Sequence, residues 1–198
     1  MNLPNKLTLL RIVIVPFMIA AMLWQSLPCN YLIAGILFGI ASLTDMLDGK
    51  IARKYNLITD FGKFADPLAD KILVISAFAV FVELRFVSCI SVIIILFREF
   101  AVTSVRLVAV ENGKVIAANI FGKAKTVSQM IAVIAVLLNH FFLQLVDYNL
   151  IPLNNNLEQL QGIVYILDNI LIWISVILTL VSGIIYIRDN FEYIKNAK

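Results

Sequence analysis

Six apolar runs divide the chain, at about residues 9–25, 31–52, 66–84, 87–110, 123–146 and 164–188. Each is long enough to carry a helix through a hydrocarbon layer, which takes about 20 residues at 1.5 Å of rise. Lipid offers no hydrogen-bond partner to a backbone amide, so each run is expected to satisfy its own amides as an α-helix. The pattern predicts an all-α, polytopic membrane protein with six transmembrane helices. Residues 1–8, with Pro4, Asn5, Lys6 and Thr8, read as a short N-terminal interfacial segment. The polar stretches between the runs are short, so residues 1–198 form one domain with no room for a separate soluble one.

Composition agrees with this pattern. The chain is 61% hydrophobic and 15% charged, with mean hydropathy +0.93; a soluble domain is about half apolar and a quarter charged. No small-residue cleavage site follows the first apolar run, so no cleaved signal peptide is expected. The two cysteines, Cys29 and Cys89, form no CxxC and have no neighbouring His, which argues against zinc. Cys29 falls between predicted spans and Cys89 at the very edge of one, both outside the membrane interior; free thiols are expected, with a disulfide as the alternative. His140 stands alone at the end of an apolar run and reads as interfacial rather than catalytic. No nucleic-acid partner is expected.

The placement of Lys and Arg, more than the net charge of +3, gives the orientation. Lys6 and Arg11 mark the N-terminal end. Lys50, Arg53, Lys54 and Lys63 mark the connection between spans 2 and 3, with Lys71 just beyond. Lys114, Lys123 and Lys125 mark the connection between spans 4 and 5, and Arg188, Lys195 and Lys198 the C-terminal end. Of the three remaining connections, "QSLPCN" and "DYNLIPLNNNLEQLQG" carry no cation and "ELRFVSC" carries only Arg85. Both termini are therefore expected on the cytoplasmic side.

The same side receives the most unusual stretch of the sequence, "DMLDGKIARKYNLITDFGKFADPLAD" at residues 45–70. Continued as a helix through Arg53, span 2 places Asp48 at about −60°, Gly49 at about +40° and Ala52 at about −20° from Asp45. Two carboxylates and two near-absent side chains share one stripe. Asp66 and Asp70, at i and i+4, share a face of span 3. Pro67 is best tolerated in a first helical turn, so span 3 is expected to start near Asp66, with Gly62 at or before that start. The short connection makes the two helices neighbours whose acidic faces can meet. Four carboxylates at a membrane boundary need positive charge. Oxygen-only ligands favour Mg²⁺ or Mn²⁺, and four aspartates suffice for two ions, an arrangement suited to phosphoryl transfer. Gly49 and Ala52 would let a ligand lie against the helix backbone, and Arg53 and Lys54 suit phosphate oxygens. A merely solvated acidic turn is the plain alternative. An ion or proton pathway is another, but these acids lie at one edge and do not step across the bilayer.

Asp45-x2-Asp48-Gly49-x2-Ala52-Arg53-x8-Gly62-x3-Asp66-x3-Asp70 resembles, without a departure, the signature of the CDP-alcohol phosphatidyltransferases. Eight residues at fixed spacing make accidental agreement improbable, and the six spans are also similar to that family. The resemblance implies a polytopic enzyme, usually a homodimer, that displaces CMP from a CDP-linked lipid with an alcohol. It implies that Asp45, Asp48, Asp66 and Asp70 hold divalent metal and that Asp70 is the general base. Gly49, Ala52, Arg53 and Gly62 would adjoin the cytidine diphosphate.

The stretches "NLPNKLTLLRI", "TDFGKFADPLADK", "REFAVTSVR" and "GKAKT" are most similar to the bacterial members whose acceptor is sn-glycerol 3-phosphate and whose donor is CDP-diacylglycerol. A bacterial cytoplasmic (inner) membrane is the location this implies. A phosphorylated acceptor needs its own cationic pocket, which Arg98, Arg106, Lys123 and Lys125 can supply, the last two where a helix start also favours anions. "FGKAK" is not a P-loop, having neither the earlier Gly nor a following Ser or Thr. Arg98 lies deep in span 4, where a structural pair with Glu99 or Asp66 is the plain alternative. Inositol phosphate, serine or phosphatidylglycerol remain alternative acceptors, and a divalent metal transporter is the rival of a different class.

Overall fold

The computed structural model describes residues 2–54, 60–111, 120–151 and 157–189; within these, the side chains of residues 3–4, 49–50, 52–54, 60–67, 70 and 107–111 lie outside the description. The described chain is α-helical, in the order α1 (Leu3–Leu23), α2 (Asn30–Lys54), α3 (Asp60–Glu83), α4 (Cys89–Glu111), α5 (Ile120–Asp147) and α6 (Leu157–Asp189). Among the described residues four helices, α1, α2, α5 and α6, are long and apolar enough to cross a membrane. The apolar stretches of α3 and α4 are interrupted by ionisable residues, among them Lys71, Arg98, Glu99 and Arg106.

The packing explains why helices this apolar form a bundle at all. Met18, Met22, Phe38, Phe78, Phe81, Ile95, Val133, Leu137, Ile172 and Val176 fill one core. The outward faces remain apolar too: Val13, Phe17, Ile36, Ile93, Phe97, Ile131, Ile166 and Ile177 are exposed. Helices apolar on both faces suit a lipid surround, where the outer face needs no polar coat. This is a membrane protein.

The N-terminal segment differs from expectation. Residues 3–8 are the first turns of α1, not a separate interfacial piece. Asn5, Thr8 and Arg11 recur every third residue and all are buried. Their burial is what holds this end of α1 inside the bundle. The start of span 3 also differs. Helix α3 begins at Asp60, so Gly62 lies in its first turn and Pro67 in its interior. Pro16 likewise sits inside α1. A proline interrupts a helix locally by removing one N–H, and neighbouring helices in a bundle can hold the flanking turns in place.

Helix α1 packs extensively on α2 and also on α3, while α2 and α3 touch at few points among the described residues. Thus α1 covers both. Helix α5 packs on α6 and α2, and α6 on α4. Helices α3 and α5 end alike: Phe86 N–H bonds to Phe81 O and Arg85 N–H to Val82 O, as Leu150 N–H does to Leu145 O and Asn149 N–H to Val146 O. Arg85 and Asn149 take the positive φ, 60° and 56°, that this closure requires.

The end carrying these turns holds a polar network. Asp168, fully buried, accepts a hydrogen bond from Asn139 Nδ2 at 2.7 Å and lies 3.0 Å from His140 Nε2. The His140 ring stacks on Phe86 at 3.3 Å between centroids. Gln144 Nε2 donates to Asn30 Oδ1 at 2.6 Å, and Asn30 Nδ2 donates to Met22 O at 3.3 Å. His140 is therefore a packed, bonded side chain at this end of the bundle. Cys29 and Cys89 are both free. Gly35 and Gly39 on α2 are spaced as GxxxG, yet a Cβ on Gly35 would meet Leu137 Cβ only at 4.0 Å and one on Gly39 nothing within 4 Å, so this spacing marks no tight contact among the described residues.

Candidate active site

Helix α2 carries Asp45 and Asp48 one turn apart, close to its C-terminal end. Both carboxylates converge on one side chain of another helix. Arg11 Nη1 is 2.7 Å from Asp45 Oδ1, and Arg11 Nη2 donates to Asp48 Oδ2 at 2.5 Å. Arg11 is 0% exposed, Asp48 4% and Asp45 32%. The guanidinium thus forms the floor, Asp48 the wall and Asp45 the mouth. A planar fork can hold two carboxylates at once, which an ammonium cannot do with the same geometry. The helical spacing read from the sequence is what presents the two aspartates together.

Arg11 is the residue the sequence reading missed. It counted there only as one more positive charge on the inner side. The available signal was its position inside an apolar run, where a charge is costly without a partner. Asn5 and Thr8 on the same helix gave a second signal, since buried polar groups require hydrogen-bond partners.

Of the other residues expected at this site, Gly49, Ala52 and Arg53 continue α2, and Gly62, Asp66 and Asp70 lie on α3. Their side-chain positions lie outside the described residues. Among the described residues no three His, Cys, Asp or Glu side chains gather as a metal site. Hard oxygen donors that converge on one cation, with Asp45 partly open to solvent, are nevertheless the chemistry that Mg²⁺ or Mn²⁺ requires. The donor set fits such an ion.

The four expected acceptor-binding cations separate into two pairs. Arg98 and Lys125 are buried and share Glu99: Lys125 Nζ bonds to Glu99 Oε1, and Arg98 Nη1 lies 3.4 Å from the same oxygen. Arg98 Nη2 also donates to Ser182 Oγ at 2.7 Å. Its stem lies on the bare backbone of Gly183, where a Cβ would come within 3.0 Å of Arg98 Cγ. The structural pairing of Arg98 with Glu99 is therefore present. Arg106 and Lys123 are exposed, and the Arg106 guanidinium sits 5.9 Å from the centroid of the Tyr186 ring. Lys71, which the sequence offered only as an orientation charge, bonds to Thr103 Oγ1, and Thr103 Oγ1 donates to Glu99 O at 2.7 Å. Lys71, Glu99, Lys125 and Gln129 line a cavity of about 20 Å³, room for about one water.

Comparison with known proteins bears on the same chemistry. A family model described as CDP-alcohol phosphatidyltransferase matches residues 1–181. A Bacillus subtilis (strain 168) protein named CDP-diacylglycerol–glycerol-3-phosphate 3-phosphatidyltransferase is 42% identical, over 99% of this chain and 98% of its own. A Rickettsia felis protein of the same name is 34% identical, over 100% and 96%. A Mycobacterium tuberculosis protein named probable phosphatidylglycerophosphate synthase is 40% identical, over 67% of this chain and 64% of its own.

Proposed function

The chain belongs to the CDP-alcohol phosphatidyltransferase family, and from that premise we propose that it transfers the phosphatidyl group of CDP-diacylglycerol to sn-glycerol 3-phosphate, giving phosphatidylglycerol phosphate and CMP. The observation that carries this reading is the convergence of Asp45 and Asp48 on one cationic position, within the full eight-residue pattern. Likeness along nearly its whole length to relatives named for this donor and acceptor supports the choice of substrates.

In this reading Asp45, Asp48, Asp66 and Asp70 hold one or two divalent ions, Mg²⁺ or Mn²⁺. A bound ion there supplies positive charge to the diphosphate of the donor and to the departing CMP. Gly49, Ala52, Arg53 and Gly62 are the pattern positions assigned to the cytidine diphosphate, Arg53 supplying positive charge for its phosphates. Asp70 accepts the proton of the glycerol 3-phosphate hydroxyl. That oxygen bonds to the lipid-linked phosphorus, and the bond from phosphorus to the CMP oxygen breaks. Arg98, Arg106, Lys123 and Lys125 form the cationic region for the acceptor phosphate. Arg106 and Lys123, being exposed, touch it, while Glu99 fixes the buried Arg98 and Lys125.

The chain is one domain over residues 1–198 that crosses a bacterial cytoplasmic membrane six times. Its site and both termini face the cytoplasm, as the Lys and Arg placement supports, and it works as a homodimer. The acyl chains of the donor enter from the inner leaflet. The test is CMP release by purified protein in mixed micelles of CDP-diacylglycerol, offered glycerol 3-phosphate, inositol phosphate, serine or phosphatidylglycerol in turn. Release with glycerol 3-phosphate alone is expected. Faster release with another acceptor would reassign the substrate, and no release with any would remove the reading.

A further inference from the structure

Arg11 is fully buried, and its fork meets Asp45 and Asp48 on the same positions through which the proposed reaction would hold a divalent ion. It lies six residues inside the apolar stretch Asn5–Leu23, about 9 Å along the helix axis. At that depth the charge of an arginine is costly unless compensating groups lie beside it. Two adjacent carboxylates on one helix face the converse problem, since without a cation they repel. The geometry solves both at once. It also ties α1 to the site, although none of the eight pattern residues lies on α1.

We propose that Arg11 is the resident countercharge of the metal site, a positioning residue that holds Asp45 and Asp48 together before an ion binds. Arg11 and a divalent ion answer the same negative charge. Asp45 and Asp48, both ionised, carry −2, which Arg11 reduces to −1. The guanidinium therefore stabilises the ion-free protein and weakens attraction for the incoming ion. Its orienting effect on the carboxylates acts in the opposite sense on affinity, but removal of a full positive charge in contact with both ligands outweighs it. This inference rests on the reading of Asp45 and Asp48 as metal ligands.

The experiment is a titration of nucleotide-free protein in detergent micelles with Mn²⁺, following the loss of the free-ion paramagnetic resonance signal. It compares wild type, Arg11→Met, Arg11→Gln and Arg11→Lys. Melting temperatures are taken with EDTA and with saturating Mn²⁺. Arg11→Met and Arg11→Gln should bind Mn²⁺ about tenfold more tightly, because a repelling charge has gone. Both should melt lower than wild type in EDTA, and saturating Mn²⁺ should raise their melting temperatures more than it raises that of wild type. Arg11→Lys, which keeps the charge, should return Mn²⁺ affinity to within about threefold of wild type. A merely structural arginine would lower the melting temperature equally with and without Mn²⁺ and leave affinity unmoved; that result overturns the inference. Weaker binding by the neutral variants overturns it as well. If Arg11→Met does not fold, Arg11→Gln decides, because its amide still donates to a carboxylate. Absence of Mn²⁺ binding by wild type would overturn the metal reading itself, whereas wild-type binding with unchanged variants would remove only the role given to Arg11.

Discussion

Replacing Glu99 by glutamine keeps the shape of the side chain and removes one charge from a buried ionic cluster. Glu99 Oε1 accepts from Lys125 Nζ and lies 3.4 Å from Arg98 Nη1, and all three residues are under 10% exposed. Lys125 loses the carboxylate it is bonded to. Arg98 loses less, because its short bond is the 2.7 Å contact with Ser182. Removing one partner of a buried ion pair typically costs about 3–5 kcal/mol. The amide oxygen still accepts one hydrogen bond, so the lower end, about 3 kcal/mol, is expected. For a chain of this size about 1 kcal/mol corresponds to 2–4 °C, so the melting temperature should fall by roughly 6–12 °C. The assay is thermal unfolding in detergent micelles, read by far-ultraviolet circular dichroism on a cycle of Glu99→Gln, Lys125→Met and the double variant. Once the carboxylate is neutral, removing the lysine should cost little or recover stability, so the two single effects should not add. A Glu99→Gln protein melting within about 2 °C of wild type, or strict additivity in the cycle, would refute the claim that this pair supports the bundle.

Four further outcomes follow from the same geometry. Gly183→Ala should destabilise by about 1–3 kcal/mol, because the new methyl meets Arg98 Cγ at 3.0 Å and Nε at 3.1 Å; unfolding midpoints will measure it, and Ser182→Ala should lessen the effect by releasing the arginine. Asp70→Asn should lower kcat by about two to four orders of magnitude without rescue by added Mg²⁺, whereas Asp45→Asn should be partly rescued; kcat against Mg²⁺ concentration separates a base from a ligand. Arg106→Ala or Lys123→Ala should raise KM for glycerol 3-phosphate well above any change for CDP-diacylglycerol, through loss of a charge-assisted contact of about 1.5–3 kcal/mol; a parallel rise in both KM values would move the acceptor pocket elsewhere. Asp168→Leu should destabilise by at least about 1–3 kcal/mol, because Asn139 and His140 lose their common partner, while KM for both substrates stays near wild type at the other end of the helices.

The sequence by itself determined the helical class and the membrane setting, because a bilayer requires long apolar runs that satisfy their own backbone, and such runs are visible without coordinates. It also determined that Asp45 and Asp48 share a face, since that follows from 100° per residue along one helix. The ends of α3 and α5 were legible to within a residue, at 84 and 146 against Glu83 and Asp147, but the way they close was not, because Arg85 and Asn149 take positive φ where no glycine advertises it. Nor was the true start of α3, since whether Pro67 begins a helix or sits within one depends on what packs around it. Above all, tertiary structure decided which cation each carboxylate meets. Arg11 and Asp48 are 37 residues apart, Glu99 and Lys125 are 26 apart, and Arg98 and Ser182 are 84 apart. Helical periodicity relates neighbours on one helix and carries no information about the face another helix presents. Burial then imposes the remaining rule: a charge inside an apolar bundle must find its opposite, and only the packing of α1 on α2 and of α6 on α4, with Lys125 of α5 reaching Glu99, says which one.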